Sequence, residues 1–115
     1  MDKFVIKRNG TYLPFEAFKI EEAISKAFAS VNESLNIKVI ETVLQLLSHQ
    51  DTWAVEDIQD KIEKTLFKYG NYEVMRSFML FRHTRKLQRE HILGLNDDTT
   101  YVDSTQTIEE YTNQT

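Results

Sequence analysis

A chain of 115 residues that is 41% hydrophobic, with seven Phe, five Tyr and one Trp, has enough for one small domain with a genuine core. It holds no Cys and three scattered His, which excludes a disulfide scaffold, thiolate metal sites and cysteine chemistry within these residues. The net charge of −4 is unevenly laid out: through Asn96 there are 14 cations against 13 anions, and the last 19 residues carry −5. The body is therefore almost neutral and lacks the basic face of a nucleic-acid binder. No stretch approaches the roughly 20 apolar residues of a bilayer span, and no secretory signal opens the chain. The expectation is a cytoplasmic protein with neither a membrane nor nucleic acid as its partner.

Residues 4–15 read FVIKRNGTYLPF. Two apolar runs flanking Asn9 and Gly10 predict a β-hairpin closed by a type I′ turn, which needs positive φ at both central residues. Residues 16–31 set Ile20, Ala23, Ile24, Ala27, Phe28 and Val31 three and four apart, the pattern of a helix that buries one face. After a polar break at 32–36, Asn36 stands as N-cap of a second helix carrying Ile37, Ile40, Val43, Leu44 and Leu47 and ending near His49. Residues 51–55, DTWAV, read as a short strand that joins the hairpin. A third helix over 56–69 buries Ile58, Ile62, Leu66 and Tyr69 and stops at a left-handed Gly70. A fourth, over 72–92, takes Met75, Phe78, Met79, Phe81 and Leu87 as its apolar side. Four helices on short loops predict a mainly α fold, an antiparallel four-helix bundle capped by a small N-terminal β-hairpin or three-stranded sheet. From Gly94 the pattern gives way to polar and acidic sequence, so the expected organisation is a domain over 1–93 and an acidic linker over 94–115 leading toward a catalytic domain outside this chain.

Cations gather at places where they could meet. Lys7 and Arg8 abut the hairpin turn, Lys19 stands in the first turn of the first helix just after Glu16, and Arg82, Arg85 and Arg89 follow three-and-four spacing on the fourth. Antiparallel alternation would bring the start of the first helix and the end of the fourth to one end of the bundle. There the free N–H groups and dipole of a helix start add to Lys7, Arg8, Lys19 and Arg85, and phosphate is the natural counter-charge. Spacing alone leaves a second account open, in which Lys and Arg protect an edge strand and cations late in a helix favour its dipole. No G-x-x-x-x-G-K-[ST] loop is present. His83 has no second His or Cys at ligand spacing and reads as a hydrogen-bonding side chain, while Glu56, Asp57 and Asp60 read as carboxylates favouring the start of the third helix.

With these residues in view, the chain resembles the ATP-cone, the small nucleotide-binding regulatory domain found chiefly at the N-terminus of ribonucleotide reductases. The resemblance is carried by V-I-K-R-N-G at 5–10, Phe15, the K-I-x-x-A-I of 19–24, Phe28, V-E-D-I-Q at 55–59 and F-M-L-F-R-H-T-R at 78–85, and covers about residues 3–90. Residues 101–111 resemble the segment entering the catalytic part of anaerobic, glycyl-radical ribonucleoside-triphosphate reductases. The resemblance implies an allosteric site that takes ATP, which keeps the enzyme active, or dATP, which switches it off, with Mg²⁺ arriving on the phosphates and no catalytic residue in this piece. It implies that Val5 and Ile6 touch the adenine, that Lys7, Arg8, Lys19 and Arg85 hold phosphates beside Glu16, and that Val55 and Gln59 face the base and sugar. Other cones carry Thr and His at the positions of Val55 and Gln59. The implied partners are the catalytic domain of the same polypeptide and, in the full enzyme, an oligomer that changes with the effector. Two alternatives are a cone in a nucleotide-sensing transcription repressor, against which the lack of Cys for a zinc ribbon argues, and a purely structural helical interaction module.

Overall fold

The computed structural model of the chain describes residues 3–91. Its elements are β1 (Phe4–Ile6), β2 (Tyr12–Pro14), α1 (Ala17–Ser30), α2 (Ile37–Leu47), β3 (Thr52–Ala54), α3 (Val55–Lys68) and α4 (Tyr72–His91). The expected linker over 94–115 lies outside the described residues.

The hairpin forms where Asn9 and Gly10 predict it, but its turn is different. Gly10 N–H donates to Lys7 O at 2.9 Å and Lys7 N–H to Thr11 O at 2.7 Å, so the loop is Arg8, Asn9 and Gly10. Only Gly10 has positive φ there, 88°; among the described residues Asn32 is the one non-glycine in that region. This is a three-residue loop closed by a left-handed glycine, in place of the expected type I′ turn. Asn9 keeps an ordinary backbone because its side-chain Oδ1 accepts from Thr11 N–H at 3.0 Å, which braces the loop without a second left-handed residue.

β1 is the middle strand of a mixed sheet ordered β2-β1-β3. It pairs antiparallel with β2, Ile6 opposite Tyr12, and parallel with β3, Ile6 opposite Ala54. These two directions fix where the helices start. Because β3 runs parallel to β1 and passes straight into α3, Val55 begins that helix at the end of the sheet where Lys7 leaves β1. Because β2 runs back, Phe15 N–H meets Lys3 O at 2.9 Å, and α1 starts from the opposite end.

The helices are bounded by local chemistry. Asn36 caps α2, its side chain accepting from Lys38 N–H at 3.1 Å. α1 and α3 end alike, with Asn32 (φ 59°) and Gly70 (φ 76°) in the left-handed region. In each, the next residue's N–H reaches back five positions, Glu33 to Phe28 O at 3.0 Å and Asn71 to Leu66 O at 2.9 Å. The last carbonyl of α2, Leu47 O, accepts from Trp53 Nε1 at 2.8 Å and Lys3 Nζ at 3.2 Å, which ties the helix to β3 and to the residue that precedes β1. α1 packs on α2 and α4, and α3 on α2 and α4. The core they enclose includes Val5, Ile20, Ile24, Phe28, Val43, Leu47, Ile58, Ile62, Leu66 and Phe78. Ile37 is exposed, and Val39 and Ile40 carry the inner face at the start of α2.

α4 corrects the expected apolar side. Val74 and Phe78 are buried, Met75 and Phe81 partly so, and Met79 and Leu87 are exposed. At about 100° per residue, Leu87 lies half a turn round the helix from Phe78, whereas Arg85 lies only about 20° from it. The inner face thus runs through Val74 and Phe78 into a charged residue, Arg85, itself fully buried.

Candidate nucleotide site

Each expected site residue has a definite place. Val5, at the centre of β1, is buried, Ile6 is half-buried, and Lys7 is the last paired residue before the turn. Val55 starts α3 and is buried. Gln59, one turn further, is 1% exposed, and its Oε1 accepts no hydrogen bond within the protein. The β1–β3 pairing sets Val5 opposite Trp53 and Ile6 opposite Ala54, and β3 passes directly into α3, where Val55 comes next and Gln59 lies one turn further along.

Glu16 occupies the N-cap position of α1 without capping it through its side chain; its carboxylate pairs with Lys19 Nζ at 3.2 Å. This pair stands at the other end of β1 from Lys7 and Arg8. Arg85 is 1% exposed, with Nη1 donating to Gln88 Oε1 at 3.4 Å. Burying a guanidinium this far is costly unless anionic or acceptor groups meet it, and Gln88 Oε1 is one such acceptor.

Arg8 and Arg82 form a feature that spacing did not reveal. Arg8, in the turn, donates Nε to Glu56 Oε2 at 3.1 Å. Arg82 Nη2 donates to the other oxygen of the same carboxylate at 2.7 Å, and its Nη1 to Glu63 at 2.7 Å and Asp60 at 2.9 Å. Arg82 is thus the hub of an acidic face of α3; Glu56 does stand in the first turn of that helix as expected, and the pairing with Arg82 gives it and Asp60 an interhelical role besides. Burial would pull the Arg82 guanidinium's pKa down, but the hydrogen bonds it donates to Glu56, Glu63 and Asp60 outweigh it and push it above its ordinary value. The signal was present in outline: 56, 60 and 63 share one face of α3, and 82 shares a stripe with 89 on α4. Only tertiary packing shows that these faces meet. Arg82, His83, Lys86 and Arg89 of α4 and Glu56 and Glu63 of α3 line a cleft of about 300 Å³. The three expected arginines therefore divide: Arg82 and Arg89 face this cleft, and Arg85 turns inward. Among the described residues no group of three His, Asp or Glu could hold a metal ion.

Residues 3–87 match the family model described as "ATP cone domain". The chain belongs to the ATP cone family. Among its curated relatives are ribonucleotide reductases of several kinds. A vitamin B12-dependent ribonucleoside-diphosphate reductase of Thermoplasma acidophilum is 35% identical over 108 residues, 85% of this chain and 14% of that protein. A ribonucleoside-diphosphate reductase subunit alpha of Treponema pallidum is 36% identical over 96 residues, 74% of this chain and 11% of that protein. An anaerobic ribonucleoside-triphosphate reductase of Salmonella typhimurium is 30% identical over 101 residues, again 85% of this chain and 14% of that protein. This ATP cone thus spans about a seventh or less of the relatives it matches, and the anaerobic enzymes are one kind of relative among several. Among its described residues no helix is long and apolar enough to cross a membrane.

Proposed function

We propose that this ATP cone senses ATP against dATP and sets the overall activity of a ribonucleotide reductase, ATP keeping the enzyme active and dATP switching it off. The observation that carries the reading is the pair of buried polar groups in the interior, Gln59 with an unmet Oε1 and the guanidinium of Arg85. An adenosine polyphosphate supplies hydroxyl or amino donors for that amide oxygen, and its phosphates are chemically suited to a guanidinium already held in the interior.

In this reading Val5 and Ile6 lie against the base, Val55 and Gln59 face base and sugar, and Lys7, Arg8, Lys19 and Arg85 hold phosphates, with Glu16 orienting Lys19. The three residues of β1 span about 10 Å, so cations at its two ends lie within reach of one extended nucleotide. An antiparallel arrangement of the four helices would bring the end of α4 to the start of α1 and complete the enclosure. Mg²⁺ would arrive on the phosphates and neutralise part of their charge.

ATP and dATP differ by one 2′-hydroxyl, and a buried hydrogen bond is worth about 0.5–1.5 kcal/mol net. A difference that small regulates an enzyme only by shifting a balance between two packings of the domain, with a coupling of about 1–3 kcal/mol. The parent protein in this proposal is an anaerobic ribonucleoside-triphosphate reductase whose catalytic domain follows in the same polypeptide, with α4 and residues 94–115 transmitting the effector's state and subunit assembly responding to it. The resemblance of residues 101–111 points to that class, of which the Salmonella relative is one member among relatives of several kinds.

Calorimetry of ATP and dATP on the 115-residue chain tests the site: micromolar binding that is lost on Lys7→Ala or Lys19→Ala is expected. Silence with both nucleotides would leave a helical interaction module as the better account. In the full-length enzyme, deletion of residues 97–115 should blunt dATP inhibition while nucleotide binding persists.

A further inference from the structure

Glu56 stands where cations from two different elements meet. It is the second residue of α3, at the end of the sheet where Lys7 and Arg8 leave β1. Its Oε2 accepts from Arg8 Nε at 3.1 Å, its Oε1 from Arg82 Nη2 at 2.7 Å, and its own backbone carbonyl from the same Nη2 at 3.3 Å. The carboxylate is 54% exposed, while the side chains of Arg8 and Arg82 are 19% and 21% exposed. A half-exposed anion therefore bridges two well-covered cations, one on the hairpin and one on α4.

We propose that Glu56 is a built-in competitor for the effector's phosphate: in the unliganded chain its carboxylate occupies Arg8 as a phosphate oxygen would, and an incoming polyphosphate takes Arg8 over and leaves Glu56 to Arg82. This rests on the reading of Arg8 as a phosphate-holding residue and gives that site a route to α4. The exchange swaps one charge-assisted hydrogen bond for another of the same type, so it proceeds without leaving a cation unpaired. Glu56 is the member of the pair most open to water, which keeps the bond it gives up weak and replaceable. Arg82 stays anchored by Asp60 and Glu63 throughout, at 2.9 and 2.7 Å, so handing Glu56 over changes the charge balance at the α3–α4 seam without opening it.

The test is calorimetric titration of ATP into the 115-residue chain carrying Glu56→Gln, Asp57→Asn, Arg8→Ala and the double variant Arg8→Ala/Glu56→Gln. Asp57 lies on the same turn of α3 and reports the general effect of removing a negative charge there. Glu56→Gln is expected to tighten ATP binding about two- to fivefold beyond Asp57→Asn, the range of an exposed ion pair, and the extra gain should vanish in the Arg8→Ala background. A gain no greater than that of Asp57→Asn, or one that survives Arg8→Ala, overturns the competitor role while leaving the site reading intact. No ATP binding by the unaltered chain, or affinity unchanged by Arg8→Ala, overturns the reading of Arg8 and the competitor with it. Should Glu56→Gln fail to fold, judged by its circular dichroism, Glu56→Ala is read in the same way.

Discussion

Arg82 and Arg85 lie three residues apart on α4 and face different worlds. Arg82 reaches across to α3, 21% exposed, with Glu56, Asp60 and Glu63 all within 2.9 Å. Arg85 lies on the side that carries Val74 and Phe78 into the core, and is 1% exposed. The outer arginine is answered several times over by carboxylates of its own chain, so it acts as a fastener between two helices. The inner one occupies a position that, by helical geometry, an apolar residue would fill at lower cost. Two identical side chains on one helix therefore differ in what surrounds them: Arg82 meets three carboxylates of α3 at the surface, while Arg85 lies in the interior beside Gln88, where the proposed function assigns it a phosphate.

Five substitutions would break or sharpen that contrast. The largest effect belongs to Phe78→Ala, on the same inner face as Arg85: removing a buried ring should cost about 3–5 kcal/mol in denaturant unfolding. Arg85→Leu should do the opposite kind of thing. It replaces a buried charge with an apolar side chain, so the melting temperature should hold or rise, while ATP affinity falls about 10- to 150-fold, the worth of a hydrogen bond to a charged group. A melting loss comparable to that of Phe78→Ala would make Arg85 a structural residue and erase the distinction. Arg82→Ala should lower stability by about 1–2 kcal/mol, because three neighbouring carboxylates on one face of α3 then lose the cation of α4 that meets them, and the loss should shrink in high salt. Its ATP affinity should stay within about threefold of the parent. A much larger loss would move Arg82 into the binding site.

These two arginines also mark where the sequence stops being legible. Periodicity located α1, α2 and α3 to within a residue or two, because most of their buried positions are apolar, Gln59 and Thr65 of α3 being polar exceptions, and Gly70 and Asn36 announced helix ends through ordinary cap chemistry. It misjudged α4 because that helix's inner face ends in a cation, so counting apolar residues drew the face toward Met79 and Leu87, which are exposed. The hairpin was readable from Asn9 and Gly10, yet the turn type was not, since the same dipeptide also serves a three-residue loop. Asn32 as a left-handed terminus was hidden in a stretch of polar residues. The acids around Arg82 are 19 to 26 residues away in sequence, and nothing local says that the two faces touch. Gln59 entered the site through family resemblance alone; its burial follows from its place one turn into a helix that springs directly from the sheet.

The smallest expected effect is in acid. Burial opposes ionisation of Glu56, but the hydrogen bond from Arg82 and the charges of Arg8 and Arg82 outweigh it and hold the carboxyl below its usual 4.5. A carboxyl that ionises more readily folded than unfolded contributes stability that is fully present above the unfolded value and is lost as pH falls through the folded one. Unfolding of the parent chain and of Glu56→Gln should therefore differ most near neutrality and converge as pH drops below about 4.5. The gap is small because the carboxylate is half in water, and added salt should narrow it further. Gln59→Leu on the inner side carries no titrating group and should leave this acid limb unchanged while weakening ATP. If instead the gap between parent and Glu56→Gln persisted undiminished into acid, the Arg8–Glu56–Arg82 chain would be holding α3 by shape and not by charge, and the outer face would lose the electrostatic character that sets it apart from the inner one.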